Sequence, residues 1–520
     1  MIKANTICFA SYTSKIAATQ NELSILMLPK WGVEVNMNDM FKYNIDFYNK
    51  TIESITSYYK YCGKMFENFM SAYSFPNRNM EKGGTFPANG HDIYNYVARY
   101  NTSNLQIQAI LKLDGKIDLN KLEQAARLSL EAEPVFKCRF IEDTNPYWKP
   151  LDNIGIIKYF SLEETDDIDQ SISNFIQSSF DIDNDPMLNV KVMRCEHYDV
   201  IGLKINHACC DGLGALEYIQ LLSDIYNKIE HENVAFTPVP KIAGRKDQDR
   251  LFSELGITNQ DSIFSPGSDV SIPMWSFPWE ACSSNIANMS VIRLPYGFID
   301  VINKYSKSKG VTVNDFILTA YYRAMLQMGQ PVYGLPMEIP ITVDLRRYLP
   351  NHKTQAIRNF SGSVSTKLIM SIDEPFNETL QRTAAMMKKI KQGYPGLQSA
   401  LGLERLEKLN YQETLAYYQA SQEARNSQKY CPLYCGNKCV PTLSNLGCIS
   451  KSLIKFGRQS VIDSYLLPPA IRAPGLLLMA CTYNSVLTLA AGYYKGTVSK
   501  DNIDMLLNKI KEELIMGCEI

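Results

Sequence analysis

A chain of 520 residues, 45% of them hydrophobic, can bury a large core, and its length predicts two or more globular units. Its 53 basic and 54 acidic residues leave a net charge of −1, which excludes the broadly basic surface of a nucleic-acid binder or of a protein held on anionic lipid. The start, MIKANTICFASYTSK, lacks the apolar core of a secretory signal, and no stretch approaches the roughly 18 uncharged apolar residues of a membrane span, so the expected location is the cytoplasm.

Residues 1–35 read as an N-terminal segment. From Phe41 through Ile45, Tyr48, Ile52, Ile55, Tyr59, Cys62, Phe66 and Phe69 to Tyr73, apolar residues recur at alternating steps of four and three. That heptad spacing predicts a long amphipathic helix over 36–73, suited to self-association or to docking on an apolar surface. SFPNRNMEKGGTFPANG, residues 74–90, is rich in Pro, Gly and Asn and reads as a linker.

After His91 strands and helices are mixed. In LQIQAILKLDG, Leu105, Ile107, Ala109, Leu111 and Leu113 share one face of a strand that turns at Asp114-Gly115. IDLNKLEQAARLSLEAEP predicts a helix capped by Asp118 and stopped before Pro134. MLNVKVMR and DVIGLKINH, separated by CEHY, predict an antiparallel pair. Further on, VTVNDFILTAYYRAML predicts a capped helix, MEIPITVDL a strand, and SVLTLAAGYY with DNIDMLLNKIKEEL a strand and a closing helix. Without strict alternation the body is expected to be α/β layers with mixed sheets.

The thirteen cysteines are scattered, as for reduced thiols. Cys431, Cys435, Cys439 and Cys448 cluster, but their spacing is not the usual Cys-x2-Cys pair of a zinc site, so unmetallated thiols are expected and no metal is assigned.

INHACCDGLGAL, residues 205–216, gathers most chemistry. Period two puts His207 on the face of Ile201, Leu203 and Ile205, at the end of a buried strand, while Lys204 and Asn206 point away. Gly212 and Gly214 predict a tight turn with open space beside the imidazole before a helix through LEYIQLLSDIYN. The bland reading is a hydrogen-bonded core histidine. Against it stands Asp211, which is costly to bury without a cation. A metal lacks a second ligand group, and Cys209 and Cys210 suit packing better than nucleophilic attack. A base facing a cavity remains.

HACCDG has the H-x-x-x-D-G pattern of the acyltransferase superfamily that includes chloramphenicol acetyltransferase, condensation domains, wax ester synthases and alcohol acetyltransferases. The segments LQIQAILKLDGKIDLNKLEQAARLSLEAEPVFKCRF, GVTVNDFILTAYYRAM, VDLRRYLP and TLSNLG resemble, in order, its opening strand and helix, central helix entry, arginine-bearing strand end and tunnel floor. The resemblance covers about 91–515. It implies two half-domains, 91–270 and 271–520, with mixed sheets forming a V around a tunnel. It further implies His207 as general base, Asp211 as the structural partner of Arg346 with Arg347 as fallback, and Gly212 keeping the tunnel clear. Ser444 and Asn445 would be donors to a carbonyl oxygen, set against a polar turn before Gly447.

Asn206 stands where many relatives carry a second histidine, and no carrier or adenylation domain is recognised. Both features favour the alcohol-acetyltransferase type, with no bound cofactor, acyl-CoA as co-substrate and an alcohol or amine as acceptor. The alternatives are condensation from a carrier-protein thioester, and a non-catalytic granule-binding or partner-binding protein that keeps the fold.

Overall fold

The computed structural model describes residues 84–518, except 101, 153–157, 233–236, 258–274, 281–283, 332–335, 370, 372, 408, 427–437 and 451–453. The described residues belong to one compact unit. The expected N-terminal segment and heptad helix lie outside them, as do Cys431 and Cys435.

Two mixed sheets carry the body. The first runs in the order Lys455–Phe456, Gln459–Leu467, Gln106–Leu113, Asp199–Asn206, Leu188–Arg194, Phe160–Glu164. All neighbours are antiparallel except the last pair. The second runs Ser361–Ile369, Pro336–Asp344, Lys438–Ile449, Gly475–Tyr483, Val486–Tyr494, Ala287–Arg293, with parallel pairing on both sides of Lys438–Ile449. This is the mixed α/β architecture expected. A small sheet joins Phe86–Pro87 to Tyr147–Pro150 and Cys138–Ile141.

The local signals explain the elements. Asp118 accepts from Lys121 N and caps the helix Leu119–Ala132, which packs with the helix Gly212–Glu232 on the first sheet. Ile107, Ala109, Leu111, Ile201, Leu203 and Ile205 form the sheet side of that core with Leu122, Ala126, Tyr218 and Leu222. Thr312 and Asp315 form a reciprocal capping box at the start of the helix Val313–Met328. Fully burying each apolar side chain stabilises the fold by about 1.5–3 kcal/mol.

Three expectations are corrected. The strand Gln459–Leu467 pairs with Gln106–Leu113, so a division at residue 270 does not separate the sheets; a late segment completes the early one. Nor does the linker extend to residue 90. Phe86 is buried in the small sheet, and Gly90 opens a helix, Gly90–Val97, whose backbone lies so close to Leu403 O that a Cβ would meet it at 1.9 Å. The third concerns Lys204 and Asn206, which do point away from the helix side yet are buried under the segment 178–186 rather than solvated.

Candidate active site

The strand Asp199–Asn206 ends one residue before His207, at a turn where His207 N donates to Leu105 O. His207 is half-buried there. Its Nδ1 lies 3.1 Å from Asn359 Oδ1. The Asn359 amide cannot rotate freely, because its Nδ2 donates to His207 O at 2.8 Å and to Ala208 O at 3.0 Å. Oδ1 is therefore the atom that faces the ring, and it needs a proton on Nδ1. The neutral ring then carries its lone pair on Nε2. Burial lowers the His207 pKa below the ordinary 6.5, although its own backbone, Asp211 and Asn359 pull the other way, so the imidazole is neutral at pH 7.

Asp211 is buried with every acceptor position filled. Oδ1 accepts from Gly214 N at 2.7 Å and Arg346 Nη2 at 3.2 Å, while Oδ2 accepts from Phe360 N at 2.7 Å and Arg346 Nη1 at 3.1 Å. Burial alone would raise its pKa, but the Arg346 guanidinium and these hydrogen bonds hold it below the usual carboxylate range. Arg346 uses its remaining donors on Glu217 Oε1, Asp344 Oδ1 and Arg358 O. Glu217 and Asp344, short of partners, are raised by burial against the pull of the same cation. Arg347 is exposed, its guanidinium over the Tyr348 ring, and does not contact Asp211.

Gly212 and Gly214 act by steric room, not by an unusual turn. Both lie in the first turn of the helix Gly212–Glu232. A Cβ on Gly212 would meet Leu446 at 2.9 Å, and one on Gly214 would meet Cys210 Cβ at 2.8 Å and Arg358 O at 3.1 Å. The expected open space at these two glycines is filled.

Leu446 belongs to the strand Lys438–Ile449, which also carries Ser444 and Asn445. Asn445 Oδ1 accepts from Gly447 N, and its Nδ2 donates to Asn314 Oδ1 at 3.1 Å, so its side chain serves the bulge at Gly447, where φ is +73°. Ser444 Oγ accepts from Thr342 Oγ1 at 3.2 Å and keeps its own proton free to donate. Neither side chain is hydrogen-bonded to His207. The thiols are structural: Cys209 Sγ donates to Asn206 O at 2.8 Å, and burial pushes the Cys210 thiol well up, away from a reactive thiolate. Cys439 is buried and Cys448 exposed on the same strand, and among the described residues no group of His, Cys, Asp and Glu is arranged to hold a metal.

Sequence reasoning missed Asn359, 152 residues from His207, and the buried Arg245. Arg245 donates to Cys209 O, to Ile357 O and to Asp92 Oδ1, the last at 2.7 Å, clamping the histidine loop from behind. Glu133 adds a bond from Ile357 N, and burial raises its pKa to about 7 against Lys241. Ile357 to Phe360 thus forms a seam whose backbone or side chains reach the loop at nearly every residue. An Arg-Asn pair ahead of a strand carries no local signature that would have revealed it.

Comparison with known proteins follows this geometry. The family model of the Condensation domain matches residues 98–241, the stretch that contains HACCDG. Two uncharacterized proteins from two strains of Mycobacterium tuberculosis are each 22% identical over 292 residues, 52% of this chain, and the chain spans 63% of their length. Among solved structures, TRI3 trichothecene 15-O-acetyltransferase from Fusarium sporotrichioides superposes with a TM-score of 0.62 at 12% identity, covering 85% of this chain and 97% of that one. Polyketide synthase associated protein 5 from Mycobacterium tuberculosis gives 0.56 at 14% identity, over 85% and 100% of the two chains. The first condensation domain of the calcium-dependent antibiotic synthetase gives 0.56 at 12%, over 83% and 95%. The chain has the condensation-domain, chloramphenicol-acetyltransferase-like fold. No helix among the described residues is long and apolar enough to cross a membrane.

Proposed function

We propose that the protein transfers an acyl group from an acyl thioester, acyl-CoA in the first instance, to the hydroxyl of a small alcohol, with His207 as general base. The observation that carries this reading is the locked Asn359 amide, which assigns the proton to Nδ1 of His207 and leaves Nε2 as an acceptor. Nε2 takes the hydroxyl proton as the oxygen attacks the thioester carbonyl. A tetrahedral oxyanion forms, the C–S bond breaks, and the proton passes to the departing thiolate. Asp211 and Arg346 hold the loop and take no part in proton transfer. Ser444 is the donor that the reading assigns to the oxyanion.

The test is mass spectrometry of products from wild type and His207→Ala with a panel of acyl-CoA donors and mixed alcohols and amines. General base catalysis predicts a loss of roughly 10²–10⁴-fold with an unchanged circular dichroism spectrum. A fully active His207→Ala variant removes the mechanism. Turnover with an acylated carrier protein but with no acyl-CoA would favour the condensation reading, which the same family match supports.

A further inference from the structure

The helix Phe298–Ser308 ends in Lys304, Lys307 and Lys309, and the helix Phe376–Lys391 ends in Lys388, Lys389 and Lys391; all six are exposed. The two helix ends converge on the start of the helix Val313–Met328. Lys309 is separated from its cap, Thr312, by two residues, and Lys391 Nζ reaches Asp315 Oδ1, in its first turn, at 3.9 Å. Asp315 is buried and occupied by its capping bond to Thr312 N. Residues 301–314 and 384–403 contain no other acidic residue, and Lys391 is the one of the six with an ion pair among the described residues. Lysines in a last helical turn complement the helix dipole, which accounts for one or two at each end but not for six meeting at one place.

This basic band leads to the candidate active site by two routes. Asn314, beside Asp315, accepts from Asn445, and the next residue, Leu446, packs on Gly212 of the H-x-x-x-D-G motif. Beyond Lys391 the chain reaches Tyr394, whose ring meets Tyr348 edge-on at 5.8 Å; Arg347 lies over Tyr348 and follows Arg346, the partner of Asp211. The chain's overall charge is balanced, so a local concentration of one sign marks a local ligand.

We infer that this band, with Lys307, Lys309 and Lys388 as its exposed members, binds the phosphate of the thioester donor, the group shared by coenzyme A and by the phosphopantetheine arm of a carrier protein. The inference rests on the acyl-transfer reading and names how the donor is held at that site. Exposed ammonium groups attract phosphate as point charges, so the interaction is screened by salt and acts on binding more than on the chemical step.

The experiment compares the full chain with the triple variant Lys307→Glu, Lys309→Glu, Lys388→Glu, and with the milder Lys→Gln triple should the first fail to fold. Calorimetric titration with coenzyme A and with a phosphopantetheinylated carrier protein reads binding without turnover. At the wild-type protein's preferred source, affinity is expected to fall at least about fivefold in the variant, and the difference to shrink in high salt. Which source binds wild type identifies where the phosphate comes from. Turnover of an acyl-pantetheine, which lacks the phosphate, is expected to be equal in both proteins. Unchanged affinity in the variant, or no binding of either source to wild type, overturns the band. Failure of every acyl thioester to turn over instead removes the acyl-transfer reading, while the titration still decides the band.

Discussion

The two sides of the candidate site are built by different means. On the histidine side, buried charges are paired and each polar atom is used: Asp211 accepts four hydrogen bonds, Arg346 answers three carboxylates, and Arg245 and Asn359 tie the loop to the seam Ile357–Phe360. On the facing side, Ser444 and Asn445 sit at a strand bulge held by neutral hydrogen bonds alone. The difference teaches that rigidity is concentrated where a lone pair must be aimed, and that the side offering donors is lightly held and tolerant of change. Removing one member of a buried ionic cluster strands its partners, whereas removing a neutral hydroxyl does not.

The sharpest way to break this contrast is Arg346→Met. It leaves Asp211, Glu217 and Asp344 without their shared cation, and denaturant unfolding should show a loss of about 3–5 kcal/mol. A loss no larger than that of an ordinary surface substitution would mean the histidine side is not locked by charge.

Acid should act on the same side. Burial, reinforced by Arg358, lowers the His91 pKa to about 4, while its Nε2 is bonded to Ser361 O in the next strand. Above pH 6.5 neither state binds the extra proton. Between 6.5 and 4 the unfolded chain takes it up and the fold does not, so stability falls with pH over that window, by up to about 3 kcal/mol. The lowered His207 pKa adds in the same direction. His91→Gln should flatten much of this slope in unfolding curves measured at pH 7, 6, 5 and 4; an unchanged slope would assign it to other groups.

Asn359 gives a smaller and more specific effect. Asn359→Ala frees the imidazole and leaves two carbonyls unpaired, so kcat should fall by about 10–100-fold with little change in KM. Asn359→Asp keeps an acceptor and adds a charge that favours imidazolium, so the acid limb of the pH–rate profile should move upward from its wild-type position below 6.5. A purely structural asparagine would leave that limb in place.

The smallest effect belongs to the facing side. Ser444→Ala should lower kcat by no more than about tenfold and leave unfolding nearly unchanged, as for one neutral hydrogen bond. A collapse in stability would show that this side is locked as firmly as the other.

Much of the fold was legible because its signals are local. Period-two alternation in Gln106–Leu113 and Asp199–Asn206, the Asp118 and Thr312 caps and the Gly-rich start of the motif helix act within a few residues, and each appears where the pattern put it. The glycines were read with the wrong cause, since the contacts that exclude a Cβ come from Leu446 and Arg358, far away in the chain. Likewise the heptad pattern of 36–73 lies outside the described residues, and its partner is a question for experiment.

By itself, the sequence determined which residues could do chemistry and which element carries each: a strand delivering His207, a loop with Asp211, a helix beginning at Gly212. Only the tertiary structure decided that Asn359 meets the imidazole, that Arg346 rather than Arg347 meets Asp211, and that Gln459–Leu467 completes the first sheet. The physical reason is one of range. Caps and hydrophobic periods depend on neighbours a turn away, while the partner of a buried polar atom is selected by packing, from any donor the whole fold brings within about 3 Å.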